Sequence, residues 1–321
     1  MQAKPESLVC LGVDTSNYTT SAAVSCRGEV IANVRRLLTV SEGERGLRQS
    51  DAVFQHTVNL PSVFGAIGKR HLRAVGVSET PRDCEGSYMP CFLAGVASAT
   101  AIAEIAGVPL YRFSHHAGHI AAALYSCGRE DLHDGEFLAF HVSGGTTELT
   151  HVDHGRITLL GGTRDISAGK AIDRIGVALG LSFPCGGRLE DLAGDIMTAK
   201  AGKLSVDGFF CNLSGLENKA EVMKAQGSEP SAIAAFVLRH ILAVLERLTE
   251  NALTAYPDLP VIYAGGVMSN KAIRAHLTGR FGGFFAEPSY SCDNAAGIAR
   301  LTELTVDGLL TPSERRSYAD R

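Results

Sequence analysis

The chain has 321 residues, 45% of them hydrophobic and 20% charged, a length that suits two domains and the composition of an ordinary globular protein. Its formal net charge of −4 gives no global pull toward nucleic acid, so an RNA partner would need a local basic patch or a helper protein. The eight scattered cysteines, with no CxxC pair, exclude a disulfide framework or zinc ribbon and fit a reduced, cytoplasmic protein, and no apolar run is long enough for a transmembrane helix.

Residues 1–6 are polar and lack the basic-then-apolar order of a secretory leader. Three strands are predicted next: one ending in Asp14-Thr15-Ser16, one over 20–24 and one over 30–38, with Cys26-Arg27-Gly28 as a hairpin turn. A helix over 52–67, a strand over 74–77, a helix over 91–105 and a strand over 109–113 follow. Basic residues gather at Arg35-Arg36, at Arg45 and Arg48, and at Lys69-Arg70 with His71 and Arg73; each group reads either as a solvated face or as a nucleic-acid contact.

Ser114-His115-His116-Ala117-Gly118-His119 closes this half. Ser114 suits a helix N-cap, which sets His115 and His119 one turn apart on a single helical face. Paired imidazoles at that spacing suit Zn or Fe(II), with a third ligand required from elsewhere; a plain helix-capping or surface histidine cluster is the other reading. A zincin protease is excluded, because the residue after His115 is His116 and not the glutamate of His-Glu-x-x-His.

The second half repeats the plan. Strands are predicted over 136–142, 147–152 and 157–161, with Asp153-His154-Gly155 as the matching turn, and both triplets are expected to be antiparallel. Helices over 168–179, 232–255, 269–277 and 294–306 alternate with strands over 260–264 and 284–286. Three meandering strands followed by alternating helices and strands, done twice, is the α/β plan of the actin, hexokinase and Hsp70 group, the ASKHA fold. On that plan residues 1–127, rejoined by 290–321, form one lobe, 128–289 form the other, and a nucleotide sits in the cleft between them.

Two glycine pairs stand at strand ends, where backbone amides can approach a phosphate: Ser143-Gly144-Gly145 after 140–142 and Gly265-Gly266 after 261–264. Asn270 reads as a ligand contact or as a helix-starting residue. Asp173, inside the helix over 168–179, reads as a holder of ribose hydroxyls or as a solvated carboxylate, and Pro184-Cys185-Gly186-Gly187 is placed at that helix's end. No GxxxxGK[ST] run occurs, which excludes a P-loop NTPase.

Taken in order, LGVDTS, HHAGHI, HVSGGTTEL, DISAGKAIDRIGVALGLSFPCGG, LSGL at Leu213 to Leu216, YAGGVMSN and CDNAAGIA resemble the tRNA threonylcarbamoyladenosine transferase family, TsaD, once called O-sialoglycoprotein endopeptidase or Gcp, from about Leu11 to Leu301. The resemblance implies transfer of a threonylcarbamoyl group from its adenylate to N6 of adenosine in tRNA. It implies a divalent metal, Fe2+ or Zn2+, held by His115, His119 and Asp293, with Mg2+ a further candidate beside the nucleotide. It assigns His141, Val142, Ser143, Gly144, Gly145, Asp173, Gly186, Gly265, Gly266 and Asn270 to ATP or the acyl-adenylate, and catalytic roles to Asp14 and Ser143. The amides of Ser143 to Gly145 would stabilise developing charge. Asp293 on its own also reads as a helix cap. The partners implied are the adenine nucleotide and tRNA, the latter through helper proteins of that pathway, with a homodimer or heterodimer left open and no membrane.

Three positions depart from the bacterial pattern. Asn17-Tyr18-Thr19-Thr20 stands where a Cys-Asp-Glu-Thr run carries an acidic pair, Lys170 replaces a glutamate, and Thr146 replaces the histidine of the SGGHT loop. Loss of the acidic pair removes the obvious general base. A non-catalytic nucleotide-binding paralogue or scaffold, or carbamoyl transfer to another acceptor, is the alternative these departures raise.

Overall fold

The computed structural model describes residues 8–16, 18–40 and 47–310. The readings made above for residues 1–6, for Asn17 and for Arg45 fall outside them. The chain divides into two compact units: one runs to Gly135 and takes in His154–Ile157 and the chain from Cys292 on, and the other comprises Glu136–Asp153 and Thr158–Ser291. Among the described residues no helix is long and apolar enough to cross a membrane.

The first unit is built on β1 (Val9–Asp14), β2 (Thr19–Cys26), β3 (Glu29–Leu37), β4 (Leu72–Thr80) and β5 (Leu110–Ser114), in sheet order β3-β2-β1-β4-β5. The meander β1-β2-β3 is antiparallel, whereas β4 and β5 join it in parallel through α1 (Gln49–Ile67) and α2 (Phe92–Ala106). Strand alternation explains the layering. Val9, Leu11 and Val13 of β1 enter the core with Leu60, Val63 and Ile67 of α1 and Ala94, Ala99 and Ala103 of α2. Gly12, between them, faces α9 (Ala296–Val306) so closely that a Cβ there would strike the Ala299 backbone. Beside α9 lies α3 (His115–Ser126), and the two touch backbone to backbone: a Cβ on Gly297 would collide with the Gly118 carbonyl.

The second unit carries β6 (Glu136–Val142), β7 (Thr147–Asp153), β8 (Arg156–Thr163), β9 (Val206–Asp207), β10 (Phe210–Cys211), β11 (Val261–Ala264) and β12 (Phe284–Phe285), in sheet order β12-β11-β6-β7-β8-β10-β9. β6 and β7 are antiparallel, and β11 is parallel to both β6 and β12. Its helices are α4 (Ala168–Ala178), α5 (Gly186–Ala193), α6 (Gly215–Ala225), α7 (Pro230–Ala255) and α8 (Lys271–Phe281). Pro230 stands in the first turn of α7, where its missing amide costs nothing, and fifteen residues of that helix are buried. Phe140, Tyr263 and Phe285 stack across three neighbouring strands, and the Tyr263 hydroxyl meets Thr249 Oγ1 at 2.9 Å.

The predicted elements recur with shifts of a few residues at their ends. Missing from the prediction were α5, α6 and the two-residue strands β9 and β10. Pro184-Cys185-Gly186-Gly187, expected at the end of the helix over 168–179, lies beyond it: α4 ends at Ala178, and Gly186-Gly187 opens α5. The strands β9 and β10 are too short to show any alternation.

Candidate functional site

β5 ends at Ser114, whose extended backbone turns the chain into α3 and whose Oγ accepts the Ala117 amide at 3.0 Å. His115 is thus the first helical residue and His119 lies one turn on, with ring centroids 4.3 Å apart. Asp293 Oδ1 lies 3.5 Å from His115 Nε2 and 3.2 Å from His119 Nε2. The three ligand atoms all fall within 4.8 Å of one another, and all three residues belong to the first unit. The Gly118–Gly297 contact makes this possible, because α9 can draw its leading segment up to α3 only where neither helix carries a side chain. Asp293 is no helix cap: Ala295 stands at the N-cap of α9, and the first helical amide, that of Ala296, donates to Asn294 Oδ1 at 2.9 Å.

Behind the histidine pair sits Asp14, 1% exposed, at the end of β1. Its Oδ2 is 2.8 Å from His115 Nδ1 and its Oδ1 accepts the Ser16 amide at 2.7 Å. An ionised carboxylate only accepts, so Nδ1 carries the proton and Nε2 is the nitrogen turned toward Asp293. Burial alone would disfavour charge on His115, but the Asp14 and Asp293 carboxylates outweigh it and raise the imidazole to about 10. Burial likewise works against charge on both carboxylates; the histidines overcome it and hold Asp14 and Asp293 below the ordinary range. Two imidazoles and a carboxylate, one ring braced from behind by a second carboxylate, are the donors a divalent Zn or Fe site uses. His116 differs from its neighbours: burial pushes it down to about 3, so it stays neutral.

Asp14 had been assigned a catalytic part. Each of its oxygens has a partner inside the protein, His115 Nδ1 for Oδ2 and the Ser16 amide for Oδ1. Sequence reasoning missed Asp83, whose Oδ2 accepts the Ser114 hydroxyl at 2.6 Å and so holds the cap of α3. No spacing rule links a loop aspartate to a serine 31 residues on.

In the second unit the turn after β6 is fastened to α4. The Ser167 hydroxyl donates to the Gly144 carbonyl at 2.6 Å, the Gly169 amide to the Ser143 carbonyl at 3.2 Å, and a Cβ on Gly169 would lie 2.6 Å from the Gly144 nitrogen. Three amides had been expected to face ligand, and the structure corrects this. The Ser143 amide is spent on the Thr146 carbonyl at 2.8 Å, and the Ser143 hydroxyl pairs with Thr146 Oγ1 at 3.1 Å. The amides of Gly144 and Gly145 donate to no group among the described residues, and a Cβ on either glycine would meet nothing within 4 Å. His141 lies on β6 itself, paired with Ala264 and Glu148, and the Val142 side chain is fully buried in the core, which leaves only its backbone at the turn.

Gly265 is required for two reasons, a φ of +99° and a close approach to the Val142 carbonyl, whereas Gly266 and Gly186 face open space. Asn270 is the N-cap of α8, its Oδ1 accepting the Ile273 amide at 2.9 Å, and Glu190 Oε1 accepts the next amide, that of Lys271, at 2.8 Å. Asp173 Oδ1 accepts the Cys185 amide at 2.8 Å, fixing the entry to α5 and leaving one oxygen for any further contact. Asn270 and Asp173 therefore carry structural duties that the ligand reading alone did not anticipate. Of the departures from pattern, Lys170 is exposed on the first turn of α4, Thr146 closes the Ser143 turn, and Thr19 and Thr20 are buried in β2.

The family model for tRNA N6-adenosine threonylcarbamoyltransferase, TsaD, matches residues 55–300. The protein of that name from Geobacillus thermodenitrificans is 33% identical over 294 residues, covering 85% of this chain and 82% of its own. Among solved structures, HypF of T. kodakarensis superimposes with a TM-score of 0.60 at 14% identity over 97% of this chain, which spans 50% of that longer protein. A putative N-acetylmannosamine kinase from Listeria monocytogenes does so with a TM-score of 0.51 at 12% identity, over 94% of this chain and 100% of its own. These likenesses establish the two-lobed ASKHA fold expected from the repeated strand-and-helix plan.

Proposed function

Because this chain belongs to the TsaD family of tRNA N6-adenosine threonylcarbamoyltransferases, we propose that it passes a threonylcarbamoyl group from its adenylate to N6 of adenosine in tRNA, with a divalent cation at His115, His119 and Asp293. Membership makes it a transferase acting on tRNA; the cation, the adenylate donor and the residue assignments are the finer reading. The observation that carries that reading is the convergence of two imidazole nitrogens and a carboxylate oxygen, with Asp14 bracing one of the rings.

When bound, the cation supplies Lewis-acid polarisation of a phosphate or carbamoyl oxygen. Asp14 keeps His115 in the tautomer that offers Nε2. The Gly144 and Gly145 amides, held by Ser167 and Gly169, give an anion two donors whose orientation is set before it arrives. Gly186, Gly266 and the second oxygen of Asp173 are left to the nucleoside. The N6 amine attacks the carbamoyl carbon, a C–N bond forms, the C–O bond to the phosphate breaks, N6 loses a proton and AMP departs. The acceptor amine is itself the nucleophile, so no activated serine or cysteine is called for.

Expression in a strain depleted of its own transferase tests the reading: threonylcarbamoyladenosine should return to its tRNA. Failure to restore the modified base, by a protein that folds and binds both metal and adenylate, would turn the assignment toward another acceptor.

A further inference from the structure

A chain of net charge −4 that acts on RNA has to collect its cations in one place. Four described arginines of the first unit are neutralised locally: Arg73 by Asp307, Arg112 by Glu79 at 2.7 Å, Arg129 by Asp131 at 2.9 Å, and Arg300 by Glu130 at 2.8 Å. The side chains of Arg27, Lys69 and Arg70 form no ion pair or hydrogen bond among the described residues, and they line one concavity of about 370 Å³. We infer that this concavity, at the end of the first unit's sheet where β1 begins, receives the phosphodiester backbone of the tRNA substrate.

Two turns bring the cations together. Arg27 and Gly28 have φ of 54° and 85°, the two-residue hairpin geometry that normally selects Asn-Gly or Asp-Gly. An arginine in that conformation is strained by roughly 1–2 kcal/mol, and the turn is nevertheless fixed, the Gly28 amide donating to Glu303 Oε1 at 3.1 Å. On the other side Gly68, at a φ of 74°, ends α1, and Lys69-Arg70-His71 leads directly into β4, with the His71 carbonyl accepting the Val9 amide at 2.9 Å. The cations therefore project from anchored backbone.

The chemistry of the concavity favours a polymer backbone over a single chelated phosphate. Three cations outnumber the one carboxylate, Glu29, and they surround an exposed aliphatic wall, Ile31, 49% exposed, against which a ribose can lie. Val9 lines the concavity, whereas Asp14, five residues along the same strand and about 17 Å away at strand rise, reaches the histidine pair. RNA held here adds affinity without entering the candidate metal centre.

The inference rests on tRNA being the acceptor, and its test separates the two. Binding of purified tRNA is measured between 50 and 200 mM KCl for wild-type protein and for the Arg27→Ala/Lys69→Ala/Arg70→Ala variant. Loss of three phosphate contacts should flatten the slope of log K against log salt by about 2–3 and raise KM for tRNA at least tenfold, with kcat and metal content kept. Glu29→Gln should tighten binding. A triple variant with the wild-type slope overturns the surface, as does wild-type protein that binds no tRNA, or complete displacement of tRNA by millimolar inorganic phosphate, which would mark a small-anion site. Restoration of threonylcarbamoyladenosine by the wild-type gene judges the acceptor independently of all three results.

Discussion

The turn after β1 and the turn after β6 occupy matching places in the two halves and are built alike, yet they offer opposite chemistry. Each is packed against a glycine of a following helix: a Cβ on Gly95 of α2 would lie 2.7 Å from Thr15 Oγ1, and one on Gly169 of α4 would lie 2.6 Å from Gly144 N. Thr15 is further tied to the Cys91 carbonyl at 3.0 Å, much as Ser167 ties the Gly144 carbonyl at 2.6 Å. From the first turn a buried carboxylate, Asp14, reaches a histidine; from the second, two bare amides face open space. On the proposed reading, one scaffold serves two ligand classes. Side-chain donors suit a cation, and backbone amides suit a phosphate.

Each half of that contrast can be broken separately. The largest effect belongs to His119→Ala, which should abolish stoichiometric binding of Zn2+ or Fe2+, measured by elemental analysis, while circular dichroism stays unchanged. Retained metal would remove the candidate centre.

Proton competition should divide the two sites next. His115 is raised to about 10, so it holds a proton at neutral pH that a cation must displace, and the sign follows: metal affinity climbs with pH. One proton lost per ion predicts about tenfold tighter binding per pH unit, roughly a thousandfold between pH 6 and 9, by competition titration. Adenylate affinity measured without metal, resting on amides that do not titrate, should stay nearly flat over that range. Stability of the protein without metal should run the other way, full below about pH 6.5 and lost as pH rises toward 10.

Asp14→Asn keeps the shape but supplies a neutral partner for His115 Nδ1. Metal affinity should fall about 10–100-fold with little change in Tm, and nitrogen-15 NMR of the imidazole should register a changed tautomer balance. Wild-type affinity in that variant would reduce Asp14 to packing.

The smallest effects compare two glycines of the second unit. Gly265→Ala should destabilise the fold by about 1–3 kcal/mol in urea titration, through its left-handed φ and the Val142 carbonyl. Gly144→Ala meets no neighbour and should change stability by less than about 0.5 kcal/mol while weakening adenylate binding. The reverse pattern would mean that the turn after β6 is structural only.

Much of this was legible in the chain alone. The triplets with Arg27-Gly28 and His154-Gly155 turns, the Ser114 cap and the one-turn spacing of His115 and His119 all follow from local rules, since turn and cap chemistry involve residues a few positions apart. What escaped was non-local or low in contrast. Glu190 blocks the amide of Lys271 from a loop-distant helix, Asp83 holds Ser114, and α5 begins on two glycines that look like a turn.

By itself the sequence determined the motifs, their order and the local turns that carry them, because those depend on backbone preferences within a few residues. Only the tertiary structure decided which groups act together: Asp14 behind His115, Asp293 in front of it, Arg27 beside Lys69. The reason is packing. Those meetings depend on how close α9 can come to α3 and how the sheet sets one turn beside another, and that distance is controlled by glycines and hydrogen bonds that join distant parts of the chain.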